Sequence, residues 1–111
     1  MAPIKHFTID QGSNFYLEVA LTDMNDNPVN LTGHTFRSQM RKSYGSNSYT
    51  AFTVTADADR TTGKLYLTLT ASQTSGLRAG RYVYDIEIVS STNEVTRVLE
   101  GITTVTPEVT R

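Results

Sequence analysis

The densest grouping of potential ligand atoms is the run Asp23-Met24-Asn25-Asp26-Asn27-Pro28, where Asp23, Asn25 and Asn27 stand at the alternate spacing that opens a calcium loop. Oxygens at that spacing close on a hard cation only when glycine turns the loop at its sixth position and a bidentate glutamate ends it at the twelfth. Counted from Asp23, those positions hold Pro28 and His34, so the run reads as a hairpin loop of turn-forming residues and no metal is expected. The histidines His6 and His34 supply imidazoles for a base, a metal pair or a pH switch, but nothing in the sequence brings them together, and both are read as surface or edge-strand residues. No serine lies in a G-x-S-x-G setting, and no glycine cluster forms a phosphate loop. Asp85 and Glu87 fall on one face of a strand, as the paired carboxylates of a hydrolase do; in a central strand they are expected to meet Arg or Lys from a neighbour instead. Neither a catalytic residue nor a cofactor is expected.

Arg37, Arg41 and Lys42 cluster beside Tyr44 and Tyr49, the residue types with which a nucleic-acid binder holds phosphates and stacks bases. The charge balance argues against that use. In 111 residues ten Lys+Arg stand against eleven Asp+Glu, a formal net charge of -1, so no cationic excess gathers phosphates and no nucleic-acid partner is expected. Arg37, Gln39 and Arg41 would share an outward strand face, where charges keep an edge from aggregating or form a polar protein contact, and Arg37, Arg41, Tyr44 and Tyr49 are the expected docking residues there. The absence of cysteine excludes disulfides and thiolate zinc sites. Apolar runs are too short to cross a bilayer, and Met1-Ala2-Pro3-Ile4-Lys5-His6 has no long apolar stretch. No membrane partner is expected, and the chain is expected to act where it is made or to travel within an assembly. The Asn30-Leu31-Thr32 sequon therefore carries no weight.

The elements that must position these groups are strands. In Phe15-Tyr16-Leu17-Glu18-Val19-Ala20-Leu21 the alternation puts Phe15, Leu17, Val19 and Leu21 on one face, and over 64–70 Leu65, Leu67 and Leu69 repeat it with Tyr66 outside. Weaker alternation predicts strands over 4–9 (Phe7 and Ile9 inward), 35–42 (Phe36 and Met40 inward) and 49–55 (Phe52 and Val54 inward). Residues 81–89 are apolar on both faces and read as a central strand; 94–105 form a last strand with a bulge expected at Glu100-Gly101. Residues 71–77 are the one expected helical turn, capped by Ser72. Tyr82, following Gly80-Arg81, is placed for a tyrosine corner, its hydroxyl reaching back to upstream backbone. About seven strands with almost no helix and no linker predict a single all-β domain over 1–111, an immunoglobulin-like antiparallel β-sandwich.

Several blocks in order carry a resemblance: Leu21-Thr22-Asp23, then Pro28-Val29-Asn30-Leu31-Thr32-Gly33, Thr62-Gly63-Lys64-Leu65, Leu77-Arg78-Ala79-Gly80-Arg81-Tyr82-Val83-Tyr84-Asp85-Ile86, and Arg97-Val98-Leu99-Glu100-Gly101 leading to Val105-Thr106-Pro107-Glu108-Val109-Thr110. Together they make the chain resemble small immunoglobulin-like virion structural proteins of tailed bacteriophages, similar to the amino-terminal domain of the baseplate upper-protein family. The resemblance implies a non-enzymatic, multicopy structural subunit of the virion, associated with tail or baseplate, homo-oligomeric in the particle and docked onto other virion proteins. It also implies synthesis in the host cytoplasm and, since the chain ends at Arg111 without the further modules of longer members, a small accessory subunit. Residues 103–111 are expected to form an extended docking tail, with Val105 and Val109 filling pockets of a neighbour and Pro107 unable to donate to a ladder. The alternatives are a capsid decoration protein and a receptor- or carbohydrate-binding module that uses Tyr16, Tyr44, Tyr49 and Tyr66 as aromatic contacts.

Overall fold

The computed structural model describes residues 3–110, so Met1, Ala2 and the Arg111 end of the expected tail lie outside the described residues. The strands are β1 (Phe7–Asp10), β2 (Phe15–Ala20), β3 (Thr35–Arg41), β4 (Thr50–Ala51), β5 (Thr53–Ala56), β6 (Lys64–Leu69), β7 (Gly80–Val89) and β8 (Val95–Thr106), with a 3-10 turn at Arg60–Thr62 and a short α-helix, α1 (Ala71–Ser75). They form two sheets, a larger one in the order β1-β8-β7-β3-β4 and a smaller one in the order β2-β6-β5. The chain is an all-β sandwich. β2, β6 and β5 take the places of strands B, E and D of an immunoglobulin-type sandwich, and β3, β7 and β8 those of C, F and G.

Alternation becomes burial as expected. Leu65, Leu67 and Leu69 of β6 are buried while the residues between them are not, and Met40, Ile86 and Ile88 close the core from the larger sheet. Phe7 on the larger sheet meets Phe15 on the smaller one and Tyr84 beside it, and Phe52 touches all three; Phe7 to Tyr84 is 4.6 Å between ring centroids and Phe7 to Phe15 is 5.3 Å. Four aromatic rings thus staple one end of the sandwich, each contact adding to the burial of area. The Tyr82 hydroxyl donates to the Arg78 carbonyl at 2.5 Å, which makes the expected tyrosine corner.

Five details depart from the sequence reading. The expected strand over 49–55 divides at Phe52, whose side chain turns into the core while its N–H donates to the Ser38 carbonyl; β4 stays with β3 and β5 crosses to β6, raising the count to eight. β1 runs parallel to β8, from Phe7 beside Thr103 to Asp10 beside Thr106, so the sandwich is not antiparallel throughout. Thr70 rather than Ser72 caps α1, because the Thr70 hydroxyl and the Gln73 side chain bond reciprocally to each other's backbone N–H. The bulge lies at Val98, since Ile86 pairs with Leu99 but Glu87 with Arg97. Gly101 instead lets the segment before β1 pass: a Cβ there would overlap the Lys5 carbonyl.

The fifth departure concerns the tail. Residues 103–106 belong to β8, and Val105 is buried in this chain's own core rather than free to enter a neighbour's pocket. Only the segment from Pro107 onward leaves the sheet. Its first turn is held where the Gln11 side-chain oxygen accepts the Glu108 N–H at 2.9 Å, and Val109 beyond is 94% exposed.

Candidate functional site

Three central strands of the larger sheet lay their outward side chains in cross-strand rows. Arg37 of β3 stands beside Glu87 of β7, which stands beside Arg97 of β8; in the next row Gln39 faces Asp85, and Asp85 faces Glu100. Arg37 Nε donates to Glu87 Oε1 at 2.7 Å, while Arg97 lies 3.3 Å from Asp85 and 3.7 Å from Glu100. The expectation that Asp85 and Glu87 meet arginines from neighbouring strands is met for both. Pairs this exposed add well under about 1 kcal/mol each to stability, so their effect is to hold charged groups in fixed positions on an open face.

The bulge builds this face. Arg97 and Glu100 are three apart, which in a regular strand puts them on opposite sides; the extra residue at Val98 reverses the phase and brings Arg97 round to the carboxylates. Even so, acid outweighs base at its centre. Burial, followed by the Glu87 and Glu100 charges, raises the Asp85 pKa above the ordinary carboxylate value, against the opposing pull of Arg97 and Arg37.

Along the β3 edge the rows open into a concavity of about 410 Å³ lined by Arg37, Gln39, Arg41, Tyr44, Asp85, Glu87, Arg97 and Glu100. Arg41 is committed to its own loop: it donates to the Ser46 carbonyl at 2.5 Å and to Gln39 Oε1 at 3.0 Å, and its guanidinium lies 4.8 Å from the centroid of the Tyr49 ring. Arg41 and Tyr49 thus shape the β3–β4 loop and present Tyr44, which is 80% exposed, at the mouth of the concavity. Strand register places the tail at the same end of the sheet. Met40 pairs with Tyr84 near the start of β7, and Gly80, the first residue of β7, pairs with Val105. Gln11 ties that end together, donating to the Leu77 carbonyl at 2.8 Å while accepting from Glu108.

Of the expected docking residues, Arg37, Arg41 and Tyr44 line one concavity, Tyr49 lies behind Arg41, and Pro107 and Val109 are exposed at the Arg41 end of the sheet, away from Arg37. Val105 drops out as a core residue. Tyr16 and Tyr66 stack at 5.7 Å on the outer face of the smaller sheet, so the tyrosines offered as sugar contacts divide between two faces. There the Tyr66 hydroxyl donates to Asp57 Oδ1 at 2.7 Å, which raises the Tyr66 pKa to about 12 and lowers that of Asp57. In the 23–28 loop Asp23 Oδ1 accepts the N–H groups of Asn25 and Asn27, the bonding of a turn. His6 and His34 serve separate local bonds, to the Ile102 N–H and the Thr32 carbonyl. Arg97 and Glu100 were missed as site residues; only the bulge places them, and nothing in the residue pattern around Val98 announces it. Neither a protein-family model nor a curated protein matches the chain.

Proposed function

We propose that the protein is a non-enzymatic structural subunit of a tailed-phage virion, present in many copies and docked in the tail or baseplate through the Tyr44 end of its larger sheet. The observation that supports this best is a fixed charge lattice across the outer face of the larger sheet, lining a concavity that runs from Arg37 to the exposed Tyr44, at the end of the sheet where the segment beginning at Pro107 emerges. Guanidinium, carboxylate and aromatic groups held in register make a directional polar contact, in which electrostatic complementarity sets the register of the partner more than the affinity. Individually weak contacts of this kind hold firmly when a symmetric scaffold offers many copies at once. The sequence blocks similar to baseplate-type domains add the virion to this picture.

The test is incorporation. Virions purified from the phage that carries the gene should contain the chain, and a variant joining Arg37→Glu to Tyr44→Ala should fold normally yet be depleted from particles. Absence of the wild-type chain from particles overturns the virion reading, and normal incorporation of the variant overturns the docking face. Separating heads from tails distinguishes a tail or baseplate position from capsid decoration. A second reading rests on Tyr44 alone: an exposed ring beside carboxylates and guanidiniums suits a saccharide. Saturable shifts of Arg37 and Tyr44 resonances on adding cell-wall oligosaccharide would favour it.

A further inference from the structure

We infer that β2 is a pairing edge through which two copies of this chain join, antiparallel and about a two-fold axis, with Leu17 beside the partner's Leu17. In an immunoglobulin-type sandwich strand A lies beside strand B. Here the segment before β1 runs along β8 instead, with Ile4 bridging Glu100 and the Lys5 N–H bonded to the Glu100 carbonyl, and β2 is left as the last strand of its sheet.

The open edge has a definite hydrogen-bonding phase. The Leu21 N–H donates to the Gly63 carbonyl at 2.8 Å, and antiparallel alternation from there turns Val19, Leu17 and Phe15 toward β6. The N–H and C=O groups of Tyr16, Glu18 and Ala20 therefore point away from the sheet, with no strand beside them among the described residues. Proteins ordinarily guard such an edge with lysine, proline, a bulge or a short strand. β2 is six residues long, contains neither lysine nor proline, keeps an unbroken register and carries one charge, Glu18.

Its inner side is also incomplete. Phe15 and Leu17 are half-buried, although Leu69 and Leu67, their partners across the ladder, are buried. The slot beside β2 therefore asks for an extended strand with free alternate backbone groups and apolar side chains facing inward. The exposed segment after Thr106 does not fit: Pro107 has no N–H, and Val109 is its one large apolar residue. A second β2 fits on each count, bringing Phe15, Leu17 and Val19 inward and free groups at alternate positions.

Charge selects the register. Centring the pair on Glu18 would set two carboxylates face to face. Centring it on Leu17 sets Tyr16 opposite the partner's Glu18 twice, phenol to carboxylate, and makes the two Leu17 residues a close pair that exchanges no backbone bonds. The inference goes beyond the virion reading and does not rest on it, because its test reads the purified chain while incorporation reads the particle.

Sedimentation of the wild-type chain across the micromolar range should show a reversible monomer–dimer equilibrium. Tyr16→Lys, opposite the partner's Glu18, should tighten it and Tyr16→Glu should loosen it, the two variants differing by roughly tenfold in dissociation constant. Both remove the Tyr16–Tyr66 stack equally, so a purely structural effect would move them together. The chain has no cysteine, and Leu17→Cys should form a disulfide-linked dimer under mild oxidation while Val19→Cys should not. A wild-type chain that stays monomeric, equal dissociation constants for the two Tyr16 variants, or cross-linking through Val19→Cys in place of Leu17→Cys would each overturn the proposal.

Discussion

Gly101→Ala should detach the segment before β1 from the sandwich. Gly101 pairs with Tyr84 in the ladder between β8 and β7, and an added methyl would overlap the Lys5 carbonyl. Four hydrogen bonds fix that segment: Lys5 N–H to the Glu100 carbonyl at 2.9 Å, Glu100 N–H to Pro3 at 3.1 Å, Tyr84 hydroxyl to Lys5 at 2.6 Å, and Ile102 N–H to His6 Nδ1 at 3.0 Å. Exposed groups among these re-bond to water at a cost of about 0.5–1.5 kcal/mol each. Tyr84 matters more, because its ring is buried and burial pushes its ionisation upward, leaving the neutral hydroxyl to donate to the Lys5 carbonyl. A total loss of about 2–4 kcal/mol follows, which for a domain of this size lowers the melting temperature by roughly 8–16 °C. Urea and thermal unfolding measure the loss, and amide exchange at Lys5, Glu100 and Ile102 locates it. A double-mutant cycle with Tyr84→Phe tests the cause: Tyr84→Phe alone should cost about 1 kcal/mol, but close to nothing once Gly101→Ala has displaced its acceptor. Gly101→Ala within about 0.5 kcal/mol of wild type, or strict additivity of the two substitutions, would refute the reasoning.

Leu67→Ala, at a fully buried position facing Leu17 and Val54 in the ladders, should cost about 2–5 kcal/mol by chemical denaturation. The Thr103 hydroxyl is buried without a hydrogen-bond partner among the described residues, so Thr103→Val should be neutral or stabilise by up to about 1 kcal/mol in the same assay. Truncation after Thr106 should leave the melting temperature within a few degrees of wild type, whereas truncation after Thr104 removes the buried Val105 and should lower it sharply. In an ultraviolet titration Tyr66 should ionise near 12, and Asp57→Asn should bring it down toward 10. Because folding raises the pKa of this phenol, its contribution to stability is complete below pH 10 and disappears as pH rises through about 12.

The core was legible because a strand buried on one face repeats every second residue, and Leu65, Leu67 and Leu69 satisfy that period with no competing one. The tyrosine corner was legible for a similar reason, its bond being local to Tyr82 and Arg78. Features that depend on another segment's path were hidden. Phe52 looks inward in any strand over 49–55, but the switch between sheets at that residue is decided by the Ser38 carbonyl, far earlier in the chain. Val105 and Val109 look alike in sequence; β1, lying parallel to β8 as far as Thr106, is what makes one of them core and leaves the other in solvent.

The charged face shows how far one hidden residue can reach. Arg37 beside Glu87 follows from two regular strands, and sequence reasoning anticipated arginine opposite these carboxylates. Without the bulge at Val98, Arg97 would lie on the other side of β8 from Glu100, and Asp85 and Glu100 would stand adjacent with no cation between them. The face would then be an acidic patch that a basic partner could approach in many registers. With Arg97 turned outward it becomes a mixed pattern of fixed charges, and under the docking proposed above such a pattern would favour one partner register over shifted ones. The residue that sets this charge pattern is thus Val98, a hydrophobic residue packed against the core whose contribution is to add one position to a strand.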